Sequence, residues 1–210
     1  MELQRSDEWH NDRLGKVTAS CIGKVMAKLK NGEPGADRKN YAAQLITERL
    51  TGERTEGFTN AAMQWGIDTE DRARAAYSFL TGCDVVETGF VDHPTVAMSG
   101  ASPDGLAGED GLVEIKCPNT ATHLDTLEGS PIERRYLLQM QWQMACTGRA
   151  WCDFASFDPR LPIAMQLHVQ RVERDDALIA EIEAEVTAFL SEIDARVTEL
   201  RARYELKEAA

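Results

Sequence analysis

The chain has 210 residues and a net charge of −12, with 43% hydrophobic and 28% charged residues. This length supports one domain with a substantial core, and we expect residues 1–210 to form a single globular domain. No apolar run is long enough to span a bilayer, and the polar first ten residues lack the apolar segment of a signal peptide. These features predict a cytoplasmic protein with no membrane partner.

The cysteines and histidines show no pattern typical of a cross-link or a metal site. The five cysteines are odd in number and widely spaced, which argues against a disulfide framework. No Cys-x-x-Cys pair is present, so a structural zinc site is not expected. We predict reduced, buried thiols and assign the four histidines no role.

Negative charge is unfavourable for contacts with nucleic-acid phosphates, but the charge is unevenly distributed. Between Arg13 and Lys30 there are five basic residues and no acidic one. The acidic balance therefore excludes general coating of DNA and leaves room for a local basic channel.

The predicted elements run from helices to short strands and back. Helices are predicted at about 6–13, 18–29 and 39–51, with Ser6 and Thr18 as N-caps and a loop at about 30–37. A longer helix at about 59–80 precedes a mostly antiparallel meander of strands at about 85–91, 96–101 and 112–117. A helix at about 131–147, strands at about 150–157 and 163–172, and a helix at about 175–204 follow. This order favours an α/β (α+β) fold with a central mixed sheet flanked by helices.

The stretch from Ser102 to Pro118 carries the most informative pattern. Its two halves are separated by a turn, which predicts a hairpin. On the second strand Glu114 and Lys116 are two residues apart, so they point to the same face. Asp104, between a proline and a glycine, can join them across the hairpin.

These residues suit a site for a hard divalent cation. Two carboxylates, Asp104 and Glu114, can bind Mg²⁺, which prefers oxygen ligands and retains several waters, and the carbonyl of Ile115 can add a ligand. Such a cation activates water and neutralises charge on a phosphodiester. We expect Lys116 to orient the water or stabilise the transition state, and partial burial to lower its pKa. The alternative is a surface hairpin with an ordinary Glu–Lys pair.

The arrangement resembles the PD-(D/E)xK nuclease superfamily, and more narrowly the phage lambda exonuclease and YqaJ-type viral recombinase family. The N-terminal motif Trp9-His…Arg13-Leu-Gly…Thr18-Ala-Ser resembles that family's signature. The helix motif Trp65-Gly…Glu70…Ala73-Arg, the motif Tyr136-x-x-Gln-x-Gln141 and the segment Phe157-Asp-Pro-Arg160 also have counterparts in the family's order.

The resemblance implies a restriction-endonuclease-like core and a 5′→3′ exonuclease that acts on the ends of linear double-stranded DNA. Such an enzyme uses Mg²⁺, with Mn²⁺ as a possible substitute, and hydrolyses one strand to mononucleotides. The remaining 3′ single-stranded overhang serves recombination of the phage type. The implied assembly is a homotrimeric ring, the implied partner is a single-strand annealing protein, and the implied location is the cytoplasm of a bacterial host, from a phage or prophage.

Residue by residue, the resemblance implies roles for eight side chains and departs from the family at one place. Asp104 and Glu114 match metal ligands, Lys116 the catalytic lysine, Glu70 an acidic helix residue near the metal, and Gln139 a supporting glutamine. The match also assigns the 5′-phosphate to Arg13, Ser20 and Ser102. Where the family's best-known member has an arginine near that phosphate, this chain has Thr122 and His123.

Two other functions share these features. One is a PD-(D/E)xK endonuclease with the same metal site, which would cut closed circular DNA. The other is a non-catalytic DNA-binding protein with the same fold, against which the intact set of Asp104, Glu114 and Lys116 argues. Without the resemblance, Glu70 and Arg13 would be interpreted as solvated surface residues and Gln139 as a polar residue on a half-buried helix.

Overall fold

The computed structural model describes residues 4, 6–55 and 60–204, which form two mixed β-sheets flanked by helices. The helices are α1 (Asp7–Asp12), α2 (Ile22–Val25), α3 (Ala36–Thr51), α4 (Ala61–Thr81), α5 (Thr120–Leu127), α6 (Arg134–Thr147) and α7 (Asp176–Tyr204). The strands are β1 (Val17–Thr18), β2 (Val85–Val86), β3 (Val91–Asp92), β4 (Ser99–Ala101), β5 (Gly105–Ala107), β6 (Gly111–Lys116), β7 (Trp151–Phe157) and β8 (Leu167–Glu173). Two 3₁₀ turns cover Ala19–Cys21 and Ile163–Met165.

The larger sheet has the order β2-β5-β6-β7-β8, and β6 is its central strand. The predicted hairpin is confirmed, because β5 pairs antiparallel with β6 and Gly105 lies opposite Val113. β6 and β7 are parallel, so the chain must cross over between them, and it does so through α5 and α6. The predicted central mixed sheet flanked by helices is therefore confirmed.

A second, three-stranded sheet that the sequence did not predict has the order β1-β4-β3. β1 runs parallel to β4, and β3 pairs antiparallel with it. This sheet joins the N-terminal segment to the strand that precedes Asp104. The expectation of a meander over residues 85–117 is wrong, since β3 and β4 belong to the three-stranded sheet and β2, β5 and β6 to the five-stranded one.

Helices cover both faces of β6, which buries its side chains on either side. Val113 and Ile115 belong to a buried cluster with Ala73 and Tyr77 of α4. On the other face, Leu112 packs in a cluster with Met140 and Met144 of α6, among others. Glu114 is two residues after Leu112 on β6, so both side chains point to the same face of the sheet. The Glu114 carboxylate is therefore directed to α6 rather than to solvent.

Several element predictions are corrected by the structure. The helix predicted at 18–29 is instead β1, a 3₁₀ turn and the four residues of α2, because Val17 and Thr18 pair with Ser99 and Gly100. Thr18 makes no capping bond, whereas Ser6 caps α1 as predicted. The strand predicted at 85–91 is divided between the two sheets as β2 and β3.

Other differences concern element bounds. Helix α5 was not predicted, and the strand predicted at 163–172 begins with a 3₁₀ turn, so that β8 starts at Leu167. The start of the helix predicted at about 59 falls at the edge of residues 56–59, which lie outside the described residues. The five cysteines are free thiols, as predicted, but only Cys146 and Cys152 are buried, and the prediction of burial is wrong for the half-buried Cys21, Cys83 and Cys117. Within the described ranges, no helix is both long and apolar enough to cross a membrane.

Candidate metal and phosphate site

Asp104 lies between β4 and β5, and its carboxylate is held against the central strand. Its Oδ2 accepts a hydrogen bond of 2.7 Å from the backbone N–H of Ile115. No residue in the described part of the chain donates to Oδ1, which leaves this oxygen available to a cation. The pKa of Asp104 is raised to about 8, mainly by burial and by the neighbouring carboxylate of Glu114, while Lys116 and the Ile115 N–H act to lower it. A carboxylate in this setting gains stability from a bound cation.

Glu114 is fully buried, and its carboxylate is fixed by three donors. Gln139 Nε2 donates to Oε1 at 2.6 Å and Gln143 Nε2 donates to Oε2 at 2.6 Å. The ammonium of Lys116 donates to the same Oε1 as Gln139. Because the two glutamines are one helical turn apart on α6, their amides reach both oxygens of one carboxylate.

Gln143 is a site residue that the sequence did not identify. The signal was present, since Gln143 follows Gln139 by four residues and shares its helix face. The sequence motif pointed instead to Gln141, whose side chain donates to the carbonyl of Glu173 and so faces away from the site. Only the packing of α6 against β6 distinguishes the two glutamines.

Lys116 ends β6 and is paired with Glu114. Burial by itself lowers the pKa of Lys116, but the carboxylates of Glu114 and Asp104 outweigh burial, and the pKa is raised. The expectation of a lowered pKa is therefore wrong, because it considered burial without the two acidic neighbours. Lys116 Nζ also lies 5.1 Å from the centroid of the Tyr136 ring.

A cleft of about 570 Å³ opens beside these residues. Asp104, Lys116 and Glu70 line it, and Glu70 also accepts a 2.9 Å bond from Arg74 on α4. Among the described residues, no three side chains of His, Cys, Asp or Glu are grouped so as to hold a metal ion. The candidate ligands are thus two carboxylates, Asp104 and Glu114, with the Ile115 carbonyl. This set fits Mg²⁺, which proteins bind through one or two carboxylates while it keeps several waters.

Arg13 and Ser102 form a second group beside the carboxylates. Arg13 Nη1 donates to Ser102 Oγ at 3.0 Å, and the Trp9 indole N–H donates to the same oxygen at 2.9 Å. The Arg13 guanidinium lies 4.1 Å from the centroid of the Trp9 ring. No carboxylate of the described residues pairs with Arg13, and burial lowers its pKa. A guanidinium with spare donors and no counter-ion is suited to bind an anion.

Ser20 lies near Arg13 but is not joined to it by a hydrogen bond among the described contacts. It is an exposed residue of the 3₁₀ turn, and its Oγ lies 3.4 Å from Thr18 Oγ1. Ser20 and Arg13 line the same pocket of about 210 Å³, together with Lys16 and Arg54. The structure therefore brings Arg13 and Ser102 into contact and places Ser20 at the wall of the adjoining pocket.

Residues 8–150 match the model of the YqaJ-like viral recombinase domain. The chain belongs to this family. The resemblance found in the sequence motifs is thus confirmed.

Solved structures agree with this assignment. An alkaline exonuclease, LHK-Exo from Laribacter hongkongensis, is 53% identical, with a TM-score of 0.89 over 98% of this chain and 100% of that one. The same exonuclease has been solved in complex with dAMP. A phage-related exonuclease from Haemophilus somnus 129PT is 17% identical, with a TM-score of 0.68 over 88% of this chain and 96% of that one, and shares the fold.

A curated relative is the uncharacterized protein R354 of Acanthamoeba polyphaga mimivirus, 26% identical over 164 residues. The match covers 72% of this chain and 28% of the viral protein. The chain therefore spans less than a third of that relative's length.

In this YqaJ-like domain, Thr122 and His123 provide no cation at the cleft. His123 is fully buried, and its ring nitrogens bond to Ser156 Oγ at 2.7 Å and to the Met165 carbonyl at 2.9 Å. Arg135 does line the cleft beside Asp104, and it also lines a groove that contains Ser20. It is a basic residue of the site region that sequence reasoning missed.

The segment Phe157–Arg160, which follows the residues matched by the family model, contacts two elements next to the site. Arg160 pairs with the buried Asp158 at 2.7 Å and donates to the Pro118 carbonyl at 3.2 Å. Its guanidinium lies 4.6 Å from the ring centroid of Trp65 on α4. Arg160 thereby contacts both α4, which carries Glu70, and the chain just after Lys116.

Proposed function

We propose that the chain, as a single nuclease domain over residues 1–210, is an Mg²⁺-dependent exonuclease that degrades linear double-stranded DNA from 5′ ends. The observation that carries the proposal is that Asp104 and Lys116 line one cleft and that Lys116 is paired with the buried Glu114 behind it. The 53% identity to a protein described as an alkaline exonuclease supports the same reaction class. Mn²⁺ is the expected substitute for Mg²⁺.

The cation would be held by Asp104, Glu114 and the carbonyl of Ile115. When bound, it supplies positive charge for a phosphodiester in transition and lowers the pKa of a bound water. Gln139 and Gln143 keep the Glu114 carboxylate oriented, since both donate to it. The buried position of Glu114 prevents rotation away from this orientation.

Lys116 acts as a charged hydrogen-bond donor through its ammonium. The carboxylates of Glu114 and Asp104 favour that charged form, because they raise the pKa of Lys116 in the cation-free protein. Since a protonated lysine cannot accept a proton, its contribution is to orient a water or to stabilise negative charge on the phosphate. Glu70 adds a further carboxylate at the cleft wall.

Arg13 and Ser102 anchor the 5′-phosphate, with Ser20 at the adjoining wall. Arg13 contacts Ser102, which is two residues before Asp104, so an anion bound at Arg13 would lie against the segment that carries a candidate metal ligand. A fixed phosphate sets the register of the strand and brings the next phosphodiester to the cation. This arrangement favours attack at ends over attack within a duplex.

The finer points of the proposal rest on family membership. We propose that the products are mononucleotides and a 3′ single-stranded overhang, used in recombination of the phage type inside a bacterial host. We further propose a homotrimeric ring that works with a single-strand annealing protein. The family's name, that of a viral recombinase domain, supports this role.

The test is digestion of linear duplex labelled at one 5′ end or one 3′ end, with and without Mg²⁺, beside closed circular duplex. We expect early release of the 5′ label as mononucleotide, late release of the 3′ label, and intact circles. Cutting of closed circles would support an endonuclease instead. Absence of Mg²⁺-dependent release from any substrate would overturn the proposal.

A further inference from the structure

A second cavity of about 190 Å³ adjoins the cleft that contains Asp104. The two share Lys116, Pro118 and Tyr136 as walls. The cavity is enclosed by α5, the segment before α6, and β7. A chemical group bound in this cavity would therefore lie next to a phosphodiester bound at Lys116 in the cleft.

The walls of this cavity combine apolar and polar side chains. Phe154 and Ile132 provide apolar surface, and the Phe154 and Tyr136 rings lie 5.7 Å apart. Thr122 and Thr126 of α5 also line the cavity, and the Thr126 hydroxyl donates to the Thr122 carbonyl at 3.0 Å. Apolar walls with a few placed polar groups are typical of sites for small organic ring systems.

Size and charge restrict what the cavity can hold. Sites for drug-sized ligands measure roughly 300–1,000 Å³, so a cavity of about 190 Å³ suits a single ring system. Asp125 and Glu133 lie at its walls, and their charge disfavours a phosphate there. The exocyclic amino groups of nucleobases, by contrast, can donate to carboxylates and hydroxyls.

We propose that this cavity binds the nucleobase of one of the two nucleotides joined by the scissile phosphodiester. We name it the base pocket and define it by Thr122, Thr126, Ile132, Tyr136 and Phe154. The inference rests on the function proposed above, because it requires a phosphodiester at the neighbouring cleft. A base held here would fix the sugar–phosphate chain next to Lys116, which lines both the base pocket and the cleft.

The test measures the first cleavage step, in single turnover, on 5′-phosphorylated duplexes with one abasic nucleotide at position 1, 2 or 6. A duplex with a mismatched base at the same position is the control for lost pairing, since it is unpaired but keeps its base. The protein variants are Thr122→Trp and Thr126→Trp, whose indoles fill the base pocket. Thr47→Trp on α3, at an exposed position far along the chain, is the matched control. Circular dichroism and thermal melting verify the fold of each variant.

We expect the abasic nucleotide at position 1 or 2 to slow the wild-type step about tenfold relative to the mismatch, from the loss of base packing. Position 6 should have no effect. Each pocket-filling variant should cleave intact duplex more slowly than the wild type does. For these variants the cleavage rate on intact duplex divided by the rate on abasic duplex should be near 1, whereas Thr47→Trp should keep the wild-type ratio.

Equal wild-type rates on abasic and mismatched duplexes would overturn the base pocket and leave the proposed exonuclease function intact. The same conclusion follows if folded pocket-filling variants keep the wild-type ratio. Absence of cleavage by the wild-type protein on every substrate would overturn the proposed function, and the base pocket with it.

Discussion

The Arg13 guanidinium donates to Ser102 Oγ at 3.0 Å, and Ser102 is two residues from Asp104 in the chain. This contact joins the N-terminal segment to the strand end that carries a candidate metal ligand. β1 and β4, which pair in parallel, bring the two segments together. A group bound by Arg13 would therefore be held against the same segment that positions the Asp104 carboxylate.

Removal of either candidate metal ligand should abolish cleavage. We expect Asp104→Ala and Glu114→Ala each to lower turnover by roughly a thousandfold or more, because the charge supplied by a bound cation contributes several kcal/mol. Nucleotide release in Mg²⁺ measures turnover, and binding of labelled duplex in Ca²⁺ should persist. Near-wild-type turnover of either variant would show that the metal-site assignment is wrong.

Asp104→Asn should stabilise the metal-free protein in a pH-dependent manner. The folded protein holds the pKa of Asp104 at about 8, above its ordinary value of 3.8, so ionisation of this carboxylate opposes folding. The resulting loss in the free energy of unfolding is absent below about pH 4, grows as the pH rises to 8, and is constant above that pH. The variant should therefore melt at a higher temperature than wild type at pH 9 in EDTA and at the same temperature near pH 4.

Addition of Mg²⁺ at pH 9 is the control for this stability prediction. A cation between the carboxylates removes the cost of ionisation in the wild type, so the difference in melting temperature should shrink or reverse. If Asp104→Asn melts below wild type in EDTA at pH 9, the carboxylate is a structural partner rather than a site for a cation.

Lys116→Ala should lose turnover more than metal affinity. The raised pKa keeps this side chain protonated, so it cannot be a ligand, and loss of one preorganised donor costs about 10²–10³ in turnover. Single-turnover cleavage measures the chemical step and calorimetric titration measures Mg²⁺ binding. Loss of Mg²⁺ binding with an unchanged chemical step would contradict the proposed role.

Gln143→Met should weaken the site through Glu114. The substitution removes the 2.6 Å bond to Oε2 and preserves the length of a fully buried side chain. Loss of such a supporting contact lowers metal affinity or activity by about 10–100-fold. The matched control is Gln141→Met on the same helix, which removes its bonds to the Glu173 carbonyl and the Asp175 N–H and should affect only stability. Equal effects of the two variants on Mg²⁺ affinity would argue against a specific role for Gln143.

The contrast between these glutamines illustrates which parts of the site could be predicted from sequence. The period of a strand puts Glu114 and Lys116 on one face, and the turn before them makes the hairpin with Asp104 predictable. Long-range packing is not encoded in such local periods. The bond between Gln143 and Glu114 depends on how α6 lies on the sheet.

The same limit explains the errors in the N-terminal region and at Lys116. A helix over residues 18–29 has reasonable local propensity, but Val17 and Thr18 gain more from pairing with β4. The pKa of Lys116 depends on a balance between burial and two carboxylates, one of which, that of Asp104, comes from the segment between β4 and β5. The order of residues in the chain gives neither the distance between Lys116 and these carboxylates nor the extent to which they are buried.

The 5′-phosphate should be recognised through Arg13. We expect 5′-phosphorylated duplex to be degraded faster than duplex with a 5′-hydroxyl, because an anchored phosphate positions the next phosphodiester at the cleft. Arg13→Ala should reduce this preference and make digestion more distributive without loss of Mg²⁺ binding. Since Thr122 and His123 offer no cation at this site, Arg13 should carry much of the interaction. Arg13→Lys should retain only part of the preference for the 5′-phosphorylated duplex, since an ammonium lacks the paired donors of a guanidinium.

Lys16→Ala is the matched control for this phosphate preference. Lys16 lines the same pocket as Arg13, but its ammonium is already neutralised by Asp92 at 2.7 Å. Its removal should leave the ratio of initial rates on the two duplexes unchanged. The measurement is that ratio for wild type, Arg13→Ala, Arg13→Lys and Lys16→Ala at one salt concentration, since phosphate contacts weaken as salt rises. If Arg13→Ala retains the wild-type ratio, the N-terminal motif is structural and the 5′-phosphate is bound elsewhere.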